Sequence, residues 1–256
     1  MTTDLTHRLA IYPMVEEADA VGVVAAVYGR ILSRMPLVPS LFKSFAVCPA
    51  YLVLAWRQAD AVFDRDDFGD GAARLRASVA REVTPPPDVE VRDTVGRFVA
   101  PLARMLLLSA GLHLALDGEL ETASADAAPP TAVDAVAEHP APSQWQADAA
   151  DVFGRIRRAL QTPIINSIWR ELAGQGQLEH AWSHLELQVP AALQAADRLQ
   201  AAALDAARAM QWPVVADADA LRRAGVGDAA AGIASILDAY IKTLPRVLVL
   251  AASSAE

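Results

Sequence analysis

One five-residue motif occurs twice in this chain. Val27-Tyr28-Gly29-Arg30-Ile31 returns 125 positions later as Val152-Phe153-Gly154-Arg155-Ile156. Apolar residues around each copy keep the same phase: Val24, Val27, Tyr28 and Ile31, then Ala149, Val152, Phe153 and Ile156. Spacing at i, i+3, i+4 and i+7 is that of an amphipathic helix. The likeness extends beyond the motif. Pro36 and Pro163 follow the two helices, and the apolar segments 41–46 and 168–173 follow the prolines. Ala55-Trp56 and Ala181-Trp182 come next. Late in each half, 102–108 and 244–250 are apolar runs that carry Arg104 and Arg246 at the same place. A chain that repeats a helix together with its sequel is constrained to build two similar units.

Between the copies, Pro129, Pro130, Pro140 and Pro142 stand among small and acidic residues. That composition reads as a linker. The expected organisation is a first helical repeat over 1–120, a linker over 121–145 and a second repeat over 146–256. No run alternates at period two between hairpin signals. The predicted fold is therefore all-α, with two pseudo-symmetric helical repeats forming one compact unit. Thr162-Pro163, Asp93-Thr94 and the stretch Asp217 to Asp219 read as helix starts, through capping side chains and a proline suited to the first helical position. Gly225 reads as a stop, and Gly227-Asp228 as a new start. The two walls of an interface between such repeats are a natural place for a pocket.

Charge and cysteine usage remove several classes of function. The chain has 256 residues, with 22 Lys+Arg against 31 Asp+Glu and a net charge of −9. That balance argues against a nucleic-acid partner, which needs cations along the phosphate backbone. A hydrophobic content of 54% is incompatible with global disorder. Cys48 is the single cysteine, so no internal disulfide and no two-thiol chemistry is available. The N-terminus has neither a basic nor an apolar segment of the secretory kind. Residues 99–116 are the most apolar stretch, but Arg104, His113 and Pro101 interrupt it, which reads as a core helix and not a membrane span. A reducing cytoplasm is the expected compartment.

Several residues of the first repeat carry a resemblance. Tyr12-Pro13, Val27-Tyr28, Ile31, Pro36, Cys48-Pro49-Ala50-Tyr51-Leu52 and Leu54-Ala55-Trp56-Arg57 resemble the opening of the DehI-type 2-haloacid dehalogenase family. Arg104 to Leu108, followed by Ser109-Ala110, is similar to another segment of that family. The resemblance implies two helical repeats joined by a loop, a fold similar to the AhpD and carboxymuconolactone-decarboxylase-like proteins. It also implies hydrolytic release of halide from 2-haloalkanoic acids, by a water that an Asp activates, without a metal or organic cofactor. In the family that Asp follows a Ser near the start of the second repeat's second helix. Here the region reads Thr162-Pro163-Ile164-Ile165-Asn166-Ser167-Ile168-Trp169. The alignment places Ser167 at the Ser and Ile168 at the Asp, and a small slip would place Ser167 or Asn166 there. None of the three is a carboxylate, and general-base catalysis needs one within hydrogen-bond reach of the water. The family's pocket Asn and Tyr fall near Leu102 and on Met105, and its Trp and Phe near Leu37 and Ser40.

The expected function is therefore a divergent member of that family without the standard reaction, and no catalytic residue is assigned. Its expected ligand is a small organic acid. The candidate binding residues are Asn166 and Ser167 as hydrogen-bond donors, with Arg104 and Arg246 as guanidinium forks for a carboxylate. Each arginine could instead pair with an acid of its own half or reach water. Glu171 is the nearest stand-in base. His180 and His184, spaced i, i+4, face one way and have the geometry of a metal pair, but no third ligand is visible and an exposed polar face is the expected reading. No metal and no cofactor are expected. The alternatives are non-catalytic binding of a small organic acid or an apolar ligand, a hydrolase of the family type that uses Glu171 as its base, and a non-catalytic interaction protein that self-associates as a homodimer.

Overall fold

The computed structural model describes residues 9, 12–79, 88–120 and 148–252. The linker expected over 121–145 lies outside them. Among the described residues every regular element is helical. In chain order the α-helices are α1 (Gly22–Leu32), α2 (Ser40–Phe45), α3 (Pro49–Asp60), α4 (Asp66–Ala77), α5 (Val89–Gly96) and α6 (Val99–Leu116). Then follow α7 (Ala150–Ala159), α8 (Ser167–Gly174), α9 (Leu178–Leu185), α10 (Val189–Ala209), α11 (Ala218–Arg223) and α12 (Ala230–Ala252). The all-α expectation holds.

The chain forms two compact units, each built from three stretches. One takes residues 1–65, 108–140 and 207–238; the other takes 66–107, 141–206 and 239–256. Each unit thus draws on both halves of the sequence, and α6, α10 and α12 each contribute residues to both.

In the first unit α1 buries Val24, Val27, Tyr28 and Ile31, the stripe read from the sequence. The Tyr28 hydroxyl donates to the Val15 carbonyl at 2.8 Å, so the phenol is both packed and satisfied. Pro49 opens α3, where its missing N–H costs nothing. Helix α3 then supplies Tyr51 and Trp56 to an aromatic cluster. Phe42 stands edge-on to Trp56 at 5.6 Å, Phe45 stands edge-on to Tyr51 at 4.9 Å, and Trp56 reaches Phe63 at 5.8 Å. Trp212 lies on Gly111 of α6 so closely that an added Cβ would come within 2.2 Å of the indole. Asp217 caps α11 by accepting from the Ala220 N–H, as its sequence position predicts. Gly225, at φ +74°, turns the chain after α11 in the left-handed conformation that glycine tolerates.

In the second unit α7 buries Phe153 and Ile156, and Val152 is half-buried. Trp182 of α9 meets Trp169 of α8 edge-on at 5.4 Å. Trp56 and Trp182, the repeated tryptophans, are thus both core residues with an aromatic ring against one edge. In α12, Pro245 sits in the helix interior, and the helix continues through it to Ala252. The segment Val89–Leu116, which holds α5 and α6, is long and apolar enough to cross a membrane by composition, yet 72% of its apolar window is buried in the protein. Helix α6 is a core helix.

Two expected helix starts are elsewhere. Asp93 and Thr94 lie inside α5, whose cap is Asp88, accepting from the Val91 N–H at 3.0 Å. Thr162-Pro163 does not begin a helix either. The Thr162 hydroxyl accepts from the Ile164 N–H, a local turn that competes with helix formation. Ile164 and Ile165 go into the core, and α8 starts only at Ser167.

Candidate functional site

The four candidate binding residues, Asn166, Ser167, Arg104 and Arg246, all fall in the second unit. The connection from α7 to α8 organises three of them. It leaves α7 through Leu160 and Gln161, the latter at φ +49°. A side chain held in the left-handed region needs outside support. Arg246 supplies it from α12: its Nη1 donates to the Leu160 carbonyl at 2.6 Å and to the Gln161 carbonyl at 2.9 Å. A guanidinium on the last carbonyls of a helix also opposes the negative end of the helix dipole. One turn before it, Thr243 shares a buried hydrogen bond with Thr162 while donating to the Ala239 carbonyl. Two α12 side chains therefore fasten the residues leading into Asn166.

The sequence reading allowed Arg246 a carboxylate ligand or an acidic partner. In the structure Nη1 is committed to backbone carbonyls. Burial lowers its pKa from the ordinary arginine value, and the field of Asp197 opposes that shift. Arg104 is elsewhere in the unit, with its guanidinium carbon 5.4 Å from the Phe68 ring centre, a cation–π contact.

Asn166 occupies the cap position of α8 with an extended backbone, but its side chain makes no capping bond. The residue is 2% exposed, and its Nδ2 is buried without a hydrogen-bond partner among the described residues. An unpartnered buried amide costs about 1–3 kcal/mol, so such groups are rare where nothing else compensates them. The helix dipole there likewise favours an anion, while the Trp169 N–H of the first turn already donates to the Asn166 carbonyl at 3.1 Å. Ser167 is half-buried and begins the helix. The start of α8 is thus rich in donors and lacks a carboxylate. Ile168, one residue on, is buried and apolar.

Glu171 is at the surface, where its Oε1 accepts from Arg97 Nη2 at 3.2 Å and from Gln175 Nε2 at 2.8 Å. Leu102 and Met105, near and at which the resemblance put the family's Asn and Tyr, are both buried. Leu37 is half-buried and Ser40 is buried; both belong to the first unit. Cys48 is buried, and burial pushes its thiol pKa up against the opposing Tyr51 N–H, which favours an inert thiol. His113 is half-buried beside Asp117, its Nε2 at 3.4 Å from the carboxylate. Among the described residues no three His, Cys, Asp or Glu side chains converge on a metal position.

The sequence did not reveal the clasp from Thr243 and Arg246, because the partners lie more than 80 positions away. The ion pairs from Arg155 to Glu179 and Glu186 were hidden in the same way.

No protein-family model matches the sequence, and no curated protein does. Solved structures do share the fold. A D-2-haloacid dehalogenase in complex with L-LA superposes at a TM-score of 0.74 and 18% identity, covering 95% of each chain. Two mutant D-2-haloacid dehalogenases, one with D-2-CPA, superpose at 0.75 and 18% identity, over 95% of this chain and 94% of theirs. At that identity the likeness establishes a dehalogenase-like fold.

Proposed function

We propose that this protein binds a small organic acid at the start of α8 and does not carry out the hydrolysis its fold relatives are named for. One observation carries the reading. The buried Nδ2 of Asn166 has no partner among the described residues, at a helix N-terminus that already favours an anion. A ligand carboxylate would accept from that amide, at the positive end of the helix dipole. Arg246 and Thr243 serve the site by holding its approach. The resemblance puts Ile168, or with a small slip Ser167 or Asn166, where the family has its Asp, and none of the three is a carboxylate base, which supports the absence of the reaction. Fold alone does not carry activity. The proposal includes a cytoplasmic protein, since the lone buried thiol needs no oxidising compartment.

The test is ligand-detected NMR with 2-chloropropanoate and acetate as probes. Saturation transfer to the wild type, reduced at least several-fold by Asn166→Leu with helicity unchanged, is the expected result. Equal transfer to both proteins would overturn the site, and no transfer to the wild type would overturn the function.

A further inference from the structure

A second polar cluster lies on α9, outside the site just described. His180 and His184 are one helical turn apart, and their rings stand 5.1 Å centre to centre at 89°. His180 Nε2 lies 3.2 Å from Asp88 Oδ2. Asp88 is 92 positions earlier and caps α5 through its other oxygen. A carboxylate only accepts, so Nε2 carries the hydrogen of this bond, and in the uncharged ring that leaves the lone pair on Nδ1. This is the outer half of the carboxylate–histidine–metal arrangement, in which the acid fixes the tautomer and makes the ligating nitrogen more basic.

The ring separation fits the same reading. With metal–nitrogen bonds of about 2.0–2.1 Å, a tetrahedral ion holds two imidazole centres about 5.2 Å apart. His180 is 53% exposed and His184 is half-buried, so solvent reaches the pair. No hydrogen bond involves the His184 side chain among the described residues. The charges beside the pair are already matched: Arg155 binds Glu179 at 2.7 Å and Glu186 at 2.6 Å.

We infer that His180 and His184 form a surface chelate for a divalent transition ion of the zinc or nickel class, with Asp88 as the outer partner of His180. Because three protein ligands do not converge here, water completes the shell. Imidazole suits such ions, and they bind the neutral ring, so acid releases them.

The experiment is titration of the full chain with Zn²⁺ against a metal indicator, with circular dichroism as the folding control. Saturable uptake by the wild type is expected, abolished by His184→Ala and by His180→Ala. Asp88→Asn keeps a capping oxygen for α5 and is expected to weaken uptake about 10–100-fold. No saturable uptake by the wild type would overturn the inference. Uptake unchanged in either histidine variant would place the ion elsewhere and overturn it too. Uptake unchanged in Asp88→Asn would overturn the role given to that residue.

Discussion

Arg246 reaches back 86 positions to donate to the Leu160 carbonyl at 2.6 Å. That contact and the companion bond to Gln161 fix the end of α7, and with it the residues leading to Asn166. Hydrogen bonds from a charged donor contribute about 1.5–3 kcal/mol, less where solvent screens them. Arg246→Met is expected to lower unfolding stability by about 1–2 kcal/mol and to weaken carboxylate binding without removing it. Urea unfolding and the NMR titration measure the two effects. Unchanged stability would show that the clasp is idle.

The buried Thr162–Thr243 bond is a neutral version of the same fastening. Thr243→Val keeps the shape and leaves Thr162 with the Ile164 N–H. The expected cost is about 1 kcal/mol in the same unfolding assay. A cost beyond about 3 kcal/mol would mean a role in packing that the hydroxyl pair does not describe.

Two glycines separate space from propensity. At Gly111 a Cβ would enter the Trp212 indole, so Gly111→Ala is expected to destabilise by about 1–3 kcal/mol or more. At Gly29, in α1, nothing lies within 4 Å of an added Cβ. Gly29→Ala is expected to stabilise by up to about 1 kcal/mol through helix propensity. Thermal unfolding of both variants checks the pair, and a sign reversal at either position contradicts the packing described.

Asp88 gives a pH dependence with a definite sign. The Val91 N–H, and then His180, lower its carboxyl pKa below the ordinary value. A group depressed in the folded state adds stability above its unfolded pKa, and that stability is lost as pH falls through the folded one. The Asp88 contribution therefore holds at neutral pH and disappears below the ordinary carboxylate range, near pH 4. Asp88→Asn is expected to flatten the acid limb of a stability–pH curve, and an identical limb in the variant would contradict it.

Much of the fold was legible because helices write themselves locally. The Val24, Val27, Tyr28, Ile31 stripe and the Asp217 cap are read within one or two turns, and both stand in the structure. Thr162-Pro163 misled because the threonine has two uses, and here its hydroxyl makes a turn and a tertiary bond in place of a helix cap. The candidate site was named from its residue types, and its partners were not legible. Asn166 and Ser167 could be named, whereas the carbonyls that take Arg246 and the Asp88 that takes His180 lie 86 and 92 positions away. No periodicity in the sequence encodes such pairings.

The central claim joins a dehalogenase-like fold to a helix start that holds donors and no base. Halide release from both enantiomers of 2-chloropropanoate and 2-bromopropanoate, by purified protein against a heat-killed control, tests it most directly. No release above the control, from a preparation that still gives saturation transfer to 2-chloropropanoate, is the predicted result. Enzyme-dependent release from either enantiomer would contradict the account, since it would require a base that Ile168 is not.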